Sequence, residues 1–249
     1  MLQEYTRTEL LVGEKVMEVL DKARVAVFGI GGAGSCAAEA LARCGIGALT
    51  LVDYDTVSLT DINRQLIALH STVGKPKTQV MKERINDIDP DILVNTYETF
   101  YTRETQQLFD FQSYDYVVDT MDILEAKLLL MEQVREAKVD IISCMDLSNK
   151  LNPFQLEIAD YSKTSVCPMA KAVRTELRKK KIKKVKVLYS KEFPVKMDRI
   201  EANTAPEQPE YGRIGGQKQE TGSIFFICGT AGMLIAGEVV RDIIRKKRQ

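Results

Sequence analysis

The sequence predicts an α/β protein with a doubly wound, mainly parallel sheet, and three observations carry that prediction. From Lys22 onward, short runs rich in β-branched residues alternate with segments of helical periodicity, the pattern of successive βαβ units. The first run passes into "FGIGGAGSCAAEAL" (28–41), a glycine-rich turn followed by small helix formers. The second run ends on an acid, Asp53, 19 residues after Gly34.

In chain order, "ELLVGEKVMEVL" reads as a helix carrying apolar Leu10, Leu11, Val16, Val19 and Leu20, which leaves Arg7 beyond a helix rather than beside the glycine turn. Strands are expected at 24–29, 48–53, 92–98, 114–120 and 140–145, with helices at 34–44, 77–88, 103–110 and 122–138 between them. In the last of these, Leu124, Leu128, Met131 and Val134 recur at helical spacing and form a sheet-facing stripe. After Lys150 the alternation changes: a strand "FQLEIAD", a basic helix "MAKAVRTELRKKK" and a strand "KVKVLYS" precede a Pro- and Gly-rich polar stretch at 196–222 that reads as a long mobile loop. A helix from about 229 to 247 closes the chain. The division is 1–150, a nucleotide-binding region with an N-terminal helix, and 151–249, a basic C-terminal α/β extension of the same continuous fold.

Composition narrows the class. In 249 residues, Lys+Arg and Asp+Glu cancel at 35 each, so global charge selects no partner. Charges at Glu4, Arg7, Glu9, Glu14 and Lys15 interrupt any signal-peptide core. The most apolar stretch, 223–237, is shorter than a bilayer span and is closed by Glu238, Arg241 and Asp242, which reads as buried core. Five cysteines, odd in number and never spaced CxxC, predict neither a disulfide framework nor a zinc clip, and a cytoplasmic location is expected. His70, the only histidine, makes no metal site alone.

A glycine turn between a first strand and a first helix lets backbone N–H groups approach phosphate oxygens, with the helix N-terminus adding favourable partial charge. Gly29, Gly31, Gly32 and Gly34 supply the turn, and the Asp53 carboxylate is placed to accept from ribose hydroxyls, a Rossmann-like arrangement. Alone, these features fit NAD as well as ATP. Asn63, Arg64, Gln65 and Lys77 follow, bringing amide donors and two positive charges that a pyrophosphate diester does not require and a triphosphate does.

The stretches "GIGGAGS", "LVDYD", "NRQ", "GKPK" and "VVDTMD", in this order, resemble the ubiquitin-activating-like adenylyltransferases, the ThiF/MoeB/HesA superfamily. Within it, "EALARCGIGALTLVDYDTV", "VGKPKTQVMKERI" and "YSKTSVCPMAKAVRTELRKKKIKKVKVLYSKE" are most similar to the tRNA threonylcarbamoyladenosine dehydratases. The resemblance spans essentially the whole chain. It implies a homodimer that uses ATP and Mg²⁺ to activate a carboxylate, here the threonyl group of N6-threonylcarbamoyladenosine in tRNA, with loss of one water to give the cyclic oxazolone. It implies ribose binding by Asp53, phosphate binding by Asn63, Arg64, Gln65 and Lys77, metal and α-phosphate contact by Asp119, and an arginine, Arg7, sent into the partner's site. A sulfur-transfer protein is a further implied partner.

Residues 171–191 carry ten cations, Lys171, Arg174, Arg178, Lys179, Lys180, Lys181, Lys183, Lys184, Lys186 and Lys191, against Glu176, a segregation that fits either tRNA or a solvated helix face beside a lysine-rich edge strand. Cys167 in "KTSVCPM" raises a thioester reading, although ring closure on an adenylate demands no protein nucleophile. "SCMDLSNKLNP" departs from the glycine-rich stretch expected after the fifth strand, and Asp146 there either assists the metal or repels the substrate. Three rivals stay open. A sulfur-carrier adenylyltransferase commonly carries paired CxxC ligands, absent here. An NAD-dependent oxidoreductase leaves the Asn63 to Gln65 group and Lys77 unexplained. The third is a non-catalytic tRNA-binding scaffold.

Overall fold

The computed structural model describes residues 3–195 and 221–247. Its strands are β1 (Arg24–Phe28), β2 (Ala48–Val52), β3 (Leu93–Tyr97), β4 (Tyr116–Asp119), β5 (Asp140–Cys144), β6 (Leu156–Asp160) and β7 (Lys186–Ser190). They form one sheet in the order β3-β2-β1-β4-β5-β7-β6, parallel except for β6, which pairs antiparallel with β7 from Leu156↔Ser190 to Asp160↔Lys186. The helices are α1 (Thr6–Val12), α2 (Glu14–Asp21), α3 (Gly32–Arg43), α4 (Lys77–Ile88), α5 (Leu124–Glu136), α6 (Pro168–Lys179) and α7 (Phe225–Lys247). All five strands expected before Lys150 are present, each within two residues at either end.

Central strands are buried on both faces, which is why their sequences are apolar without alternation. The pleat sorts them: Val25, Val27, Tyr116, Val118, Ile142 and Leu188 face the side covered by α2, α3, α4 and α7. Ala26, Phe28, Val117, Ile141, Val187 and Tyr189 face α5, α6 and the aromatic cluster Tyr101, Phe109 and Phe111. Helices on both faces of one mainly parallel sheet make the doubly wound α/β fold. Helices α3 and α7 lie side by side on this face in close contact, which small residues permit: a Cβ on Gly232 of α7 would sit 2.5 Å from the Ala33 carbonyl oxygen and 2.6 Å from Cys36 Cβ.

Several local expectations change. No α-helix forms at 103–110; 3₁₀ turns at Gln106–Leu108 and Phe111–Ser113 replace it. There the hydroxyls of Thr102 and Thr105 close a local turn by accepting from the N–H groups of Glu104 and Thr102, and Tyr101 and Phe109 pack edge-on against Phe28 with Phe111 tilted beside them. The N-terminal helix is two helices, broken at Gly13 (φ 89°). Val16 and Leu20 of α2 are buried, whereas Leu10 and Leu11 of α1 are 84% and 85% exposed. Strand β7 is an inner strand and β6 the edge, so the lysine-rich strand protects no sheet edge. The closing helix begins at Phe225, four residues early. The loop expected at 196–222 lies outside the described residues except for Thr221 and Gly222. Among the described residues, no helix is long and apolar enough to cross a membrane.

Candidate active site

The strand order reverses between β1 and β4, and in an open parallel sheet the crevice beyond the carboxyl ends of two such strands is where ligands bind. The turn after β1 and the segment after β4 are stitched together there: Thr120 N–H donates to the Phe28 carbonyl at 2.8 Å and its hydroxyl to the Gly29 carbonyl at 2.6 Å. The glycines divide the work. Gly29 needs its φ of 88°, and Gly34 permits α3 to pack on the turn, since a Cβ there would fall 1.8 Å from the Gly29 oxygen. A Cβ on Gly32 would meet Cys228 of α7 at 2.9 Å, whereas one on Gly31 meets nothing closer than Gln65 Nε2 at 3.9 Å. Gly31 is therefore the glycine bordering open space.

Asp53 stands at the end of β2, and its Oδ2 accepts from Ile30 N–H at 2.6 Å while Oδ1 accepts from Asp55 N–H at 2.8 Å. It thus pins the glycine turn. Burial pushes its carboxyl pKa up, against the opposing field of Lys77 and those two N–H groups. The other predicted residues converge on a carboxylate that the sequence reading passed over, Asp61. Its Oδ1 accepts from Arg64 Nη2 at 2.9 Å and Gln65 Nε2 at 2.8 Å, and its Oδ2 takes Ser58 N–H at 3.0 Å and faces Lys77 Nζ at 3.8 Å. Lys77, nearly buried, donates to Asp55 Oδ2 at 3.0 Å. Asn63 Nδ2 donates to the Ser223 carbonyl at 2.9 Å, which ties the start of the C-terminal helix to the crevice. Gln65 Oε1 is buried with no partner among the described residues.

Asp119 is not in the crevice. It is wholly buried, with Oδ2 accepting from Lys127 Nζ at 3.0 Å and Ser143 Oγ at 2.6 Å, and Oδ1 from Met121 N–H at 3.1 Å. The pleat is the reason: Asp119 falls two residues after Val117 and points with it toward α5. The expectation that it holds a metal is corrected accordingly. Asp122, three residues on, is exposed, and its surroundings bring Lys127, Asp146, Lys77 and Arg64 to bear on one carboxylate. Although solvent reaches the residue, the protein packed around its carboxyl desolvates it and raises its pKa, Asp146 adds to the rise, and the three cations oppose it. The second acid of "VVDTMD", beyond the strand, was the signal available in the sequence.

Arg7 is exposed and is not brought to the crevice within its own chain. Tyr5, two residues before it, donates to the Ala42 carbonyl at 3.0 Å and to Asp89 at 2.8 Å. Ala42 lies ten residues along α3 from Gly32, about 15 Å from the glycine turn at 1.5 Å per residue. Cys167 caps α6, its Sγ accepting from Ala170 N–H at 3.5 Å; burial pushes the thiol pKa up, which is the reverse of an activated nucleophile. His70 is exposed in a turn. Asp146 of the departing loop lies close enough to act on both Asp122 and Cys167. Among the described residues, no group of three or more His, Cys, Asp or Glu side chains forms a protein-only metal centre.

A doubly wound sheet with a phosphate-approaching glycine turn at its switch point, faced by Arg64, Lys77 and an exposed acid, defines a nucleotide-binding α/β protein. The ThiF family pattern matches residues 5–249, and the chain belongs to that family. The tRNA threonylcarbamoyladenosine dehydratase of Bacillus subtilis (strain 168) is 44% identical over 247 residues, 98% of this chain and 96% of that protein. The Escherichia coli (strain K12) protein of the same name is 38% identical over 176 residues, 71% of this chain and 66% of that protein. The crystal structure of E. coli TcdA, tRNA N6-threonylcarbamoyladenosine dehydratase, in complex with ATP matches with a TM-score of 0.84 at 30% identity, covering 99% of this chain and 96% of that one.

Proposed function

We propose that this chain uses ATP to adenylate the threonyl carboxylate of N6-threonylcarbamoyladenosine in tRNA and to close it into the cyclic oxazolone. The observation that carries the reading is the convergence of Arg64, Gln65 and Lys77 on Asp61, with Gln65 the side chain nearest the open Gly31. The relatives' shared name supplies the substrate and the net loss of water, and the ATP complex of TcdA supplies the co-substrate.

A carboxylate carbon is shielded by delocalised negative charge, and oxide is not expelled at neutral pH. A carboxylate oxygen therefore attacks the α-phosphorus of ATP, the bond to the bridging oxygen breaks, and pyrophosphate leaves. The carbamoyl oxygen then attacks the acyl carbon, AMP departs with the original carboxylate oxygen, and the adjacent N–H proton passes to solvent. Arg64 and Lys77 hold the polyphosphate and absorb the charge growing on the leaving pyrophosphate. In the free protein they are held ready by Asp55 and Asp61. Backbone N–H groups at Gly31 and Gly32 approach phosphate oxygens, Asp53 fixes their turn and faces the ribose, and the unpartnered Gln65 Oε1 awaits a donor such as a ribose hydroxyl. Asn63 binds the α7 approach as well as facing the nucleotide.

Mg²⁺ suits this donor set, because it takes one or two carboxylates and completes its shell with phosphates and water. Asp122 would hold it, with Asp146 acting on the same carboxylate, and the ion would neutralise phosphate charge when bound. Arg7 acts across a homodimer, consistent with its distance from its own crevice, and the exposed Leu10 and Leu11 of α1 lie against the partner. The basic segment 171–191 serves the tRNA through those of its cations that no internal partner takes, and a sulfur-transfer protein is the further partner this reading carries. Mass spectrometry of tRNA nucleosides from cells lacking the gene, handled so that the labile ring survives, tests the function. Loss of the cyclic nucleoside is expected, and its persistence overturns the assignment.

A further inference from the structure

The ten cations of 171–191 are not one surface. Arg174 is committed to the Thr164 carbonyl at 2.6 Å, Lys179 to Glu176, Lys180 to Glu132, Lys186 to Glu238 and Asp242, and Lys191 to Glu157. Lys181, Lys183 and Lys184, by contrast, are exposed, and their side chains make no ion pair or hydrogen bond among the described residues. They form the turn from α6 into β7, and that turn is rigidly seated. Ile182 N–H donates to the Leu177 carbonyl at 3.0 Å and Lys181 N–H to Arg178 at 3.1 Å, a helix-ending motif whose left-handed residue is Lys181 (φ 57°). Tyr161 OH donates to the Ile182 carbonyl at 2.7 Å, Val185 is fully buried, and Lys184 is also left-handed (φ 60°).

Topology adds cations that the sequence keeps apart. β6 is antiparallel, so its end and the starts of β5 and β7 lie at one edge of the sheet, the edge opposite the crevice. Lys138 precedes β5 and Lys163 follows β6, both exposed and unpaired among the described residues. In the groove of about 490 Å³ beside them, Lys180 is spent on Glu132 and Arg135 on the Val139 carbonyl and Asp140, which leaves Lys181, Lys183 and Lys184 facing Glu136 alone.

We infer that this edge is a docking surface for the phosphate backbone of the RNA substrate, separate from the crevice by the length of β7, about 17 Å at 3.3 Å per residue. The inference rests on the proposed tRNA substrate, and charge complementarity selects the occupant: unpaired lysines held on a fixed backbone match phosphates and carry no base readout. The reacting nucleoside enters the crevice while the RNA passes over the β6 and β7 flank to this edge.

The test measures binding of a labelled, full-length tRNA transcript to the intact protein at several salt concentrations, with ATP binding followed by calorimetry. A variant carrying Lys181→Glu, Lys183→Glu and Lys184→Glu should bind tRNA at least about tenfold more weakly and flatten the log-log salt slope by about 2–3, with ATP affinity unchanged. The Lys→Ala triple variant, expected to fold where the reversal does not, should flatten the slope by a similar amount. Unchanged affinity and slope in either folded variant overturn the inference. So does an equal loss from reversing Lys15, Lys82 and Arg103 elsewhere on the surface, or a wild-type protein that ignores tRNA and binds only an acidic protein. Failure of the function reads differently: tRNA bound at this edge with no AMP released upholds the surface and removes the dehydratase reading.

Discussion

Two nearly buried lysines flank the crevice, Lys77 in the first turn of α4 and Lys127 in the first turn of α5, and each faces aspartate at 3.0 Å. Lys77 shares its charge between Asp55, whose side chain is 46% exposed, and Asp61, so solvent and any ligand reach the group it holds. Lys127, Asp119 and Ser143 are sealed completely, and nothing from outside can take Asp119's place. The same ion-pair chemistry therefore serves two ends. An accessible pair can trade its carboxylate for a phosphate, whereas a sealed pair only holds the β4 end, the β5 end and α5 together and sets the field at Asp122.

The sharpest way to break this comparison is to remove one partner of each pair. Lys127→Ala or Asp119→Ala strands a charge where no water reaches it and should cost about 3–5 kcal/mol of stability in urea or thermal unfolding. A near-neutral result would mean that the pair is not sealed. Lys77→Ala should melt close to wild type yet slow AMP formation by about 10²–10³-fold, as should Arg64→Ala. If instead Lys77→Ala unfolds and retains its rate per folded molecule, the two lysines have exchanged roles. Asp122→Asn separates the two acids of "VVDTMD": AMP formation should fall about 100-fold in saturating Mg²⁺ with the melting temperature unchanged. Full activity would place the metal elsewhere.

Smaller effects sharpen the picture. Arg7→Ala should lower turnover without dissociating the dimer. Mixed with inactive Arg64→Ala, it should regain activity, because about half of the dimers formed at equal mixing contain one intact site. No recovery under demonstrated subunit exchange would return Arg7 to the solvent. The smallest effect is in pH. Burial raises the carboxyl of Asp53, so on acidification it takes a proton before an ordinary aspartate does. AMP formation should therefore begin to fall above the usual aspartate range, and an acid limb at or below that range would show that Asp53 does not titrate in the rate.

The elements around β1 were legible because local signals agreed: β-branched runs bounded by Gly and Asp, small residues throughout α3, and the GKPK entry to α4, whose predicted 77–88 matches Lys77–Ile88. The 101–114 stretch was not, since a short helical pattern there gave way to a core that takes up the rings of Tyr101, Phe109 and Phe111. Arg64, Lys77 and Asp53 were legible as site residues from charge and position. Asp61 was not, because its value lies in partners three, four and sixteen positions away that only the fold sets around one carboxylate.

By itself the sequence determined the class of fold, the nucleotide turn and the cations that follow it, because each depends on residue type and on spacing within a single strand, turn or helix. Only the tertiary structure decided which acid enters the crevice, which lysines are spent on internal pairs and which stand free, and that Lys138, Lys163 and the Lys181 to Lys184 turn share one edge. Those outcomes follow from strand order and pleat, which fix the direction and company of a side chain through contacts between segments far apart in the chain.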